Sequence, residues 1–215
     1  MIGIALDPGH GGGDKGNTQL RRRRVIGSEA PDDLTADWFI EADFNLSIAY
    51  MAYERLATYA GVEPLLLRSR REQHLKLWQR APIADAGDAA LVLSVHVNAW
   101  VKPESRGAMV FHWPENERAA KVARAVAASM PESYRTDKVV SNILDRGQDG
   151  KLLWPGPKAV VGAYRQDAVL VECFFASNPE DLEASYDTAV RSGLATALLV
   201  GTDAYRIATR ARKEV

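Results

Sequence analysis

Two stretches, residues 91–95 (Leu-Val-Leu-Ser-Val) and 168–171 (Ala-Val-Leu-Val), are apolar at nearly every position instead of at alternate ones. A strand of that kind must be covered on both faces, which the helix layers of an α/β domain with a parallel sheet provide. Other short apolar runs, at 2–6, 64–67 and 108–111, are further strand candidates. Longer segments of helical period lie between them. From 41 to 59 the residues Phe44, Ile48, Met51, Ala52, Leu56 and Tyr59 fall mostly at three- and four-residue steps, so one stripe faces a core. Gly61 is placed to stop that helix. Helices are also expected over 115–130, before Pro131, and over 187–210. A further helical pattern at 75–87 contains Pro82, which removes a backbone donor and predicts a kink or restart. Residues 16–37 and 139–159 are rich in Gly, Pro, Asp and Arg without periodicity and read as long surface loops. The expectation is an α/β single domain over 1–215, its mostly parallel central sheet flanked by helices on both faces, with no linker to a second module.

Composition narrows the partners. The chain has 47% apolar and 26% charged residues, in the range of soluble globular proteins. Its net charge of -1 provides no field to draw it onto nucleic acid or an anionic membrane. No window approaches the ~18 consecutive apolar residues of a membrane span, so no membrane insertion is expected, and a monomer is. Cys173 is the sole cysteine, which excludes an intrachain disulfide. The start, Met1 to Pro8, has neither the basic flank nor the long apolar run of a secretory signal.

The polar residues that matter stand where the apolar runs end. Directly after the first comes Asp7-Pro8-Gly9-His10-Gly11-Gly12-Gly13-Asp14-Lys15-Gly16, a histidine among glycines at a strand's carboxyl end. Ligands of open α/β sheets gather at that edge, and glycine lets the backbone approach them closely. Neither GxxxxGK[ST] nor GxGxxG is present, so a phosphate cradle is not indicated. His96 closes the run at 91–95 in the same way. Two such histidines call for a carboxylate if they hold zinc, since catalytic zinc sites use three N or O donors and leave a position open. Glu41, at the start of a helix, is a candidate, although a glutamate there also complements the helix dipole. Glu172, after the apolar run 168–171, is carried toward the interior, where carboxylates need a partner or a function.

Four segments, in order along the chain, resemble the zinc-dependent N-acetylmuramoyl-L-alanine amidases of amidase type 3. That family's DPGHGG-x-D-x-G opening is matched by Asp7 to Gly16, and its helix-opening glutamate by Glu41. Its S-x-H-x-N-A strand end is matched by Ser94 to Ala99, and its V-E-x-G-F-x-S-N-P-E-D segment by Val171 to Asp181. The resemblance implies Zn2+ held by His10, Glu41 and His96, Glu172 as the catalytic carboxylate, and peptidoglycan as substrate. Asp14 matches without an assigned role, and Asn98 and Trp100 are candidates to bind substrate. The implied reaction is hydrolysis of the amide between N-acetylmuramic acid and L-alanine. The rivals are a zinc hydrolase of another acyl amino acid or peptide amide, and a wall-binding domain without catalysis. The lack of a signal and of a wall-binding module suits a phage endolysin, held in the host cytoplasm until release; a bacterial amidase would be periplasmic or extracellular.

The chain departs from the family pattern at three points. Phe174 stands in the place of a glycine, which predicts another path for the loop after Glu172. Glu41 lies 31 positions beyond His10, a long gap holding Arg21 to Arg24, and Pro82 interrupts a helix. His74 and His112 are competing ligands, with His112 read as a strand residue. The arginines of 21–24, with Arg206, Arg210, Arg212 and Lys213, read as solvated charge, and Trp113 and Trp154 as core.

Overall fold

The computed structural model describes residues 1–20, 38–136, 138–140 and 155–210. From the N-terminus the chain forms β1 (Ile2–Pro8), an antiparallel pair β2 (Thr18–Leu20) and β3 (Trp38–Ile40), α1 (Glu41–Ala57) and β4 (Val62–Leu66). Then follow α2 (Leu77–Ala86), β5 (Ala89–Asn98), β6 (Met109–His112), α3 (Glu117–Ala128) and β7 (Val139–Val140). The chain closes with α4 (Pro155–Gly162), β8 (Asp167–Phe175), α5 (Pro179–Ala184) and α6 (Thr188–Arg210).

Six strands make one sheet in the order β4-β1-β5-β8-β6-β7. The first four are mutually parallel, while β6 runs antiparallel to β8 and parallel to β7. On one face, Leu91, Leu93 and Val95 of β5 and Val169 and Val171 of β8 pack with Phe44 and Ile48 of α1, Val122 and Val126 of α3, and Leu194 and Leu198 of α6. On the other, Ala5, Val92 and Leu170 meet Ala84 of α2 and Val161 of α4. The domain is therefore α/β with helices on both faces, as expected.

Register is what aims the site. A one-residue slip of β5 would trade Leu91, Leu93 and Val95, all fully buried, for Ser94 and His96. The leucines would stay covered on the α2 face, so the cost is that of burying the Ser94 hydroxyl and the His96 imidazole among the apolar side chains of the α1 face, ~1–3 kcal/mol for each polar group left without a partner. The register so fixed sets His96 opposite Glu172. Beyond this pair β8 gains one residue over β5, since the next pairing is Asn98 with Phe175. Such a bulge lets two successive side chains share a face, and Cys173 and Phe174 both enter the α1 side of the core.

Several expectations need correction. Phe174 does not redirect the chain: β8 continues through it, and its fully buried ring stacks on Tyr134 and meets Phe39 and Phe44 edge-on. No restart occurs at Pro82, because α2 runs through it. The carbonyl deprived of a partner belongs to Trp78, a residue 70% exposed, so water can take that bond. Helix α1 ends at Ala57 with Thr58 as its cap, and Gly61 instead takes the left-handed turn into β4. The 115–130 helix starts at Glu117, because the Asn116 side chain accepts from Ala119 N at 3.0 Å and Glu115 has a φ of 65°. The two long loops are partly structured, with β2 in the first and β3 directly after it, and β7 and the start of α4 in the second. Residues 21–37 and 141–154, with Arg21 to Arg24 and Trp154, lie outside the described residues, as do Arg212 and Lys213.

Candidate active site

His10 sits just past β1 with a φ of 60°, a left-handed conformation that few residues other than glycine adopt. Buried guanidinium groups grip the carbonyls of its turn. Arg80 donates to Pro8 O and to His10 O, both at 2.9 Å, and Arg68 donates to Gly9 O at 3.2 Å. Asp7 balances Arg80 in an ion pair and accepts from Ser94 Oγ at 2.8 Å and Tyr164 OH at 2.7 Å. Burial opposes the Asp7 charge, but Arg80 and these hydroxyls outweigh it and hold the carboxyl below its ordinary range. Two glycines are dictated by close approach. A Cβ on Gly9 would lie 2.2 Å from the His96 ring, and one on Gly16 2.6 Å from Glu41 Oε2.

Glu41 opens α1 and is 1% exposed. Its Oε2 accepts from Asn17 N at 2.7 Å and Asn17 Nδ2 at 2.8 Å, and its Oε1 from Val97 N at 2.9 Å. The β2–β3 pair returns the chain to this point, so the long gap after His10 does not displace Glu41. Around Oε1 lie His10 Nε2 at 3.3 Å and His96 Nδ1 at 3.2 Å. Among the described residues, His10, Glu41 and His96 form a group whose ligand atoms all fall within 4.8 Å of one another. Donors placed ~2.0–2.1 Å from a tetrahedral zinc stand roughly 3.3–3.4 Å apart, so these N···O separations and this N/N/O donor set fit zinc.

Electrostatics agree with a cation site. Burial works against the Glu41 charge, yet the two imidazoles hold its carboxyl well below the usual carboxylate range. Burial likewise disfavours charge on His10, but the Glu41 and Asp14 carboxylates push it up to about 9. Without a metal, His10 instead keeps its second proton near neutrality. Asp14 accepts from His10 Nδ1 at 2.9 Å, which fixes the tautomer that leaves Nε2 turned to Glu41, the arrangement common among metal-bound histidines.

Glu172 lines the same cleft, of about 310 Å³, as His10, Glu41, His96 and Asn98. Its Oε2 is buried without a hydrogen-bond partner. Burial raises its carboxyl to about 7, against the pull of His96, and a group with that value can take and return a proton near neutrality. Asn98 turns its Oδ1 to Ala99 N at 2.8 Å and its Nδ2 toward Met109 Sδ. Trp100 is 49% exposed, one residue beyond the cleft wall. His112 is buried on β6 and bonded to Trp113 O, away from the cluster, whereas His74 bonds Gly11 O at 3.0 Å in an adjoining groove.

Sequence reasoning left Asp14 without a role and overlooked Asn17, Arg68 and Arg80. Asp14 and Asn17 carried a signal, since they lie in and directly after the glycine-rich turn. The two arginines carried none, because the His10-turn groups they hold, the Gly9 and His10 carbonyls and the Asp7 carboxylate, lie far from them in the chain.

Residues 4–203 match the family Amidase_3, N-acetylmuramoyl-L-alanine amidase. The chain is 25% identical to YqiI of Bacillus subtilis over 203 residues, covering 94% of this chain and 84% of YqiI. It is 26% identical over 235 residues to the N-acetylmuramoyl-L-alanine amidase AmiA of Escherichia coli, covering 94% of this chain and 75% of AmiA. Among solved structures, the catalytic domain of CwlV, an N-acetylmuramoyl-L-alanine amidase from Bacillus (Paenibacillus) polymyxa var. colistinus, matches with a TM-score of 0.74. It is 21% identical, and the match covers 95% of this chain and 98% of that domain. At that identity the structural likeness speaks for the fold.

Proposed function

Since the chain belongs to the N-acetylmuramoyl-L-alanine amidase family, we propose that it hydrolyses the amide joining N-acetylmuramic acid to L-alanine in peptidoglycan, using zinc held by His10, Glu41 and His96. The observation that carries this reading is the convergence of those three donors within 4.8 Å, in one cleft with the unpartnered carboxyl of Glu172. Zinc at these donors supplies Lewis acidity toward water and the scissile carbonyl.

The chain's own residues do the rest. Glu172 takes a proton from the attacking water as oxygen adds to the carbonyl carbon. It returns that proton to the alanine nitrogen as the C–N bond breaks, leaving a muramoyl carboxylate and a free amino terminus. Asp14 holds His10 in its tautomer, and Asn17 with the Val97 amide fixes the Glu41 carboxylate, so the donor geometry exists before substrate arrives. No helix among the described residues is long and apolar enough to cross a membrane.

The test is product analysis on purified muropeptides. The proposal predicts new L-alanine amino termini with intact glycan. New reducing sugar ends, or cuts within the peptide only, would contradict it.

A further inference from the structure

His10 and His96 separate two spaces. The cleft with Glu172 and Asn98 lies on one side, and on the other a groove of about 320 Å³ runs between the start of α2 and Val160 of α4. Its outer wall is the segment His74-Leu75-Lys76-Leu77. Resting on the amidase reading above, we infer that this groove binds the peptide arm of the substrate and recognises a carboxylate on it through Lys76.

Three features of the wall match a short acidic peptide. Lys76 is exposed, and its ammonium has no ion-pair partner among the described residues. Of the two carboxylates lining the groove, Asp7 is paired with Arg80 and Asp14 accepts from His10 Nδ1, and neither forms an ion pair with Lys76, whose ammonium is left for a ligand. His74 donates from Nδ1 to Gly11 O at 3.0 Å, which leaves its Nε2 to accept a hydrogen bond from a peptide N–H. Leu75, Leu77 and Val160 offer apolar surface for small side chains such as the alanine methyl. A neutral sugar has hydroxyls and acetamido groups but no carboxylate for Lys76. The space beside Asn98 and Glu172 remains for the muramoyl arm, which gives the substrate a direction across the histidines.

The experiment compares two muramoyl peptides, one with a free carboxylate on the residue after L-alanine and one with that group amidated, using the zinc-loaded protein. The free acid should show a KM about fivefold lower, the scale of one partly solvated ion pair. Lys76→Ala should erase the preference and Lys76→Glu reverse it, both with unchanged zinc content and Tm. Calorimetric titration with the released acidic peptide gives a second readout independent of turnover, and Lys76→Ala should weaken that binding by a similar factor. A preference that survives both substitutions, or peptide binding indifferent to Lys76, overturns the inference while leaving the amidase reading intact. If the wild type cleaves neither substrate, the amidase reading fails, and the titration alone decides the groove: Lys76-dependent binding upholds it, and its absence overturns it.

Discussion

Replacing Glu172 with glutamine should remove activity and, in metal-free protein, raise stability. The carboxyl sits at about 7 in the fold against an ordinary 4.5, which costs on the order of 3 kcal/mol once the pH exceeds both values. The sign follows from the raised folded value. Below about pH 4 the group is protonated in both folded and unfolded chains and costs nothing; the penalty grows from there to pH 7 and is constant above. Part of the side chain faces the cleft, and a glutamine amide needs hydrogen bonds of its own, so the net gain from Glu172→Gln should be ~1–2 kcal/mol at pH 8. For a chain of this size that raises Tm by roughly 4 °C. Calorimetry on metal-free wild type and variant should find the increment at pH 8 and almost none at pH 4. With zinc restored, the variant should retain the metal yet cleave ~10² to 10⁴-fold more slowly. Equal Tm differences at both pH values would refute the buried carboxyl, and wild-type turnover would refute its role in proton transfer. Loss of zinc would mean that Glu172 belongs with the ligands.

Three other substitutions test the supporting structure. Gly9→Ala puts a methyl within 2.2 Å of the His96 ring; a ring displaced by about an ångström should cost ~10²-fold in rate, with lower zinc occupancy by mass spectrometry. Asp14→Ala frees His10 Nδ1, and zinc affinity measured by chelator competition should fall ~10 to 100-fold. Asp7→Ala leaves the Arg80 guanidinium buried without its counter-charge, which should lower stability in urea unfolding by ~3–5 kcal/mol.

The parts of this fold legible in the sequence are those whose cause is local. The nearly continuous apolar runs ending at Val95 and Val171 required a doubly covered sheet, and its parallel core follows. The glycines before and after His10 marked a turn with close neighbours, and the structure identifies them as the His96 ring and the Glu41 carboxylate. What could not be read depends on distant partners. The antiparallel entry of β6 beside β8, the bulge that places Phe174 among Tyr134, Phe39 and Phe44, and the grip of Arg68 and Arg80 on the His10 turn involve residues far apart in the chain. Pro82 misled for a related reason: its effect depends on whether the orphaned Trp78 carbonyl can reach water, which a propensity argument does not consider. Of the site, the convergence of His10, Glu41 and His96 emerged from strand ends and motif order, whereas the bonds that orient them, from Asp14, Asn17 and Val97, are visible only in three dimensions.

The central claim is that these three residues hold the zinc on which cleavage depends. It is tested most directly by measuring metal content and the release of L-alanine amino termini on one preparation, before chelation, after it, and after zinc is returned. The account predicts about one zinc per chain, with metal and activity lost and regained together, and neither regained in His10→Ala or His96→Ala. Metal-free protein that cleaves the muramoyl–alanine bond at the full rate would contradict it.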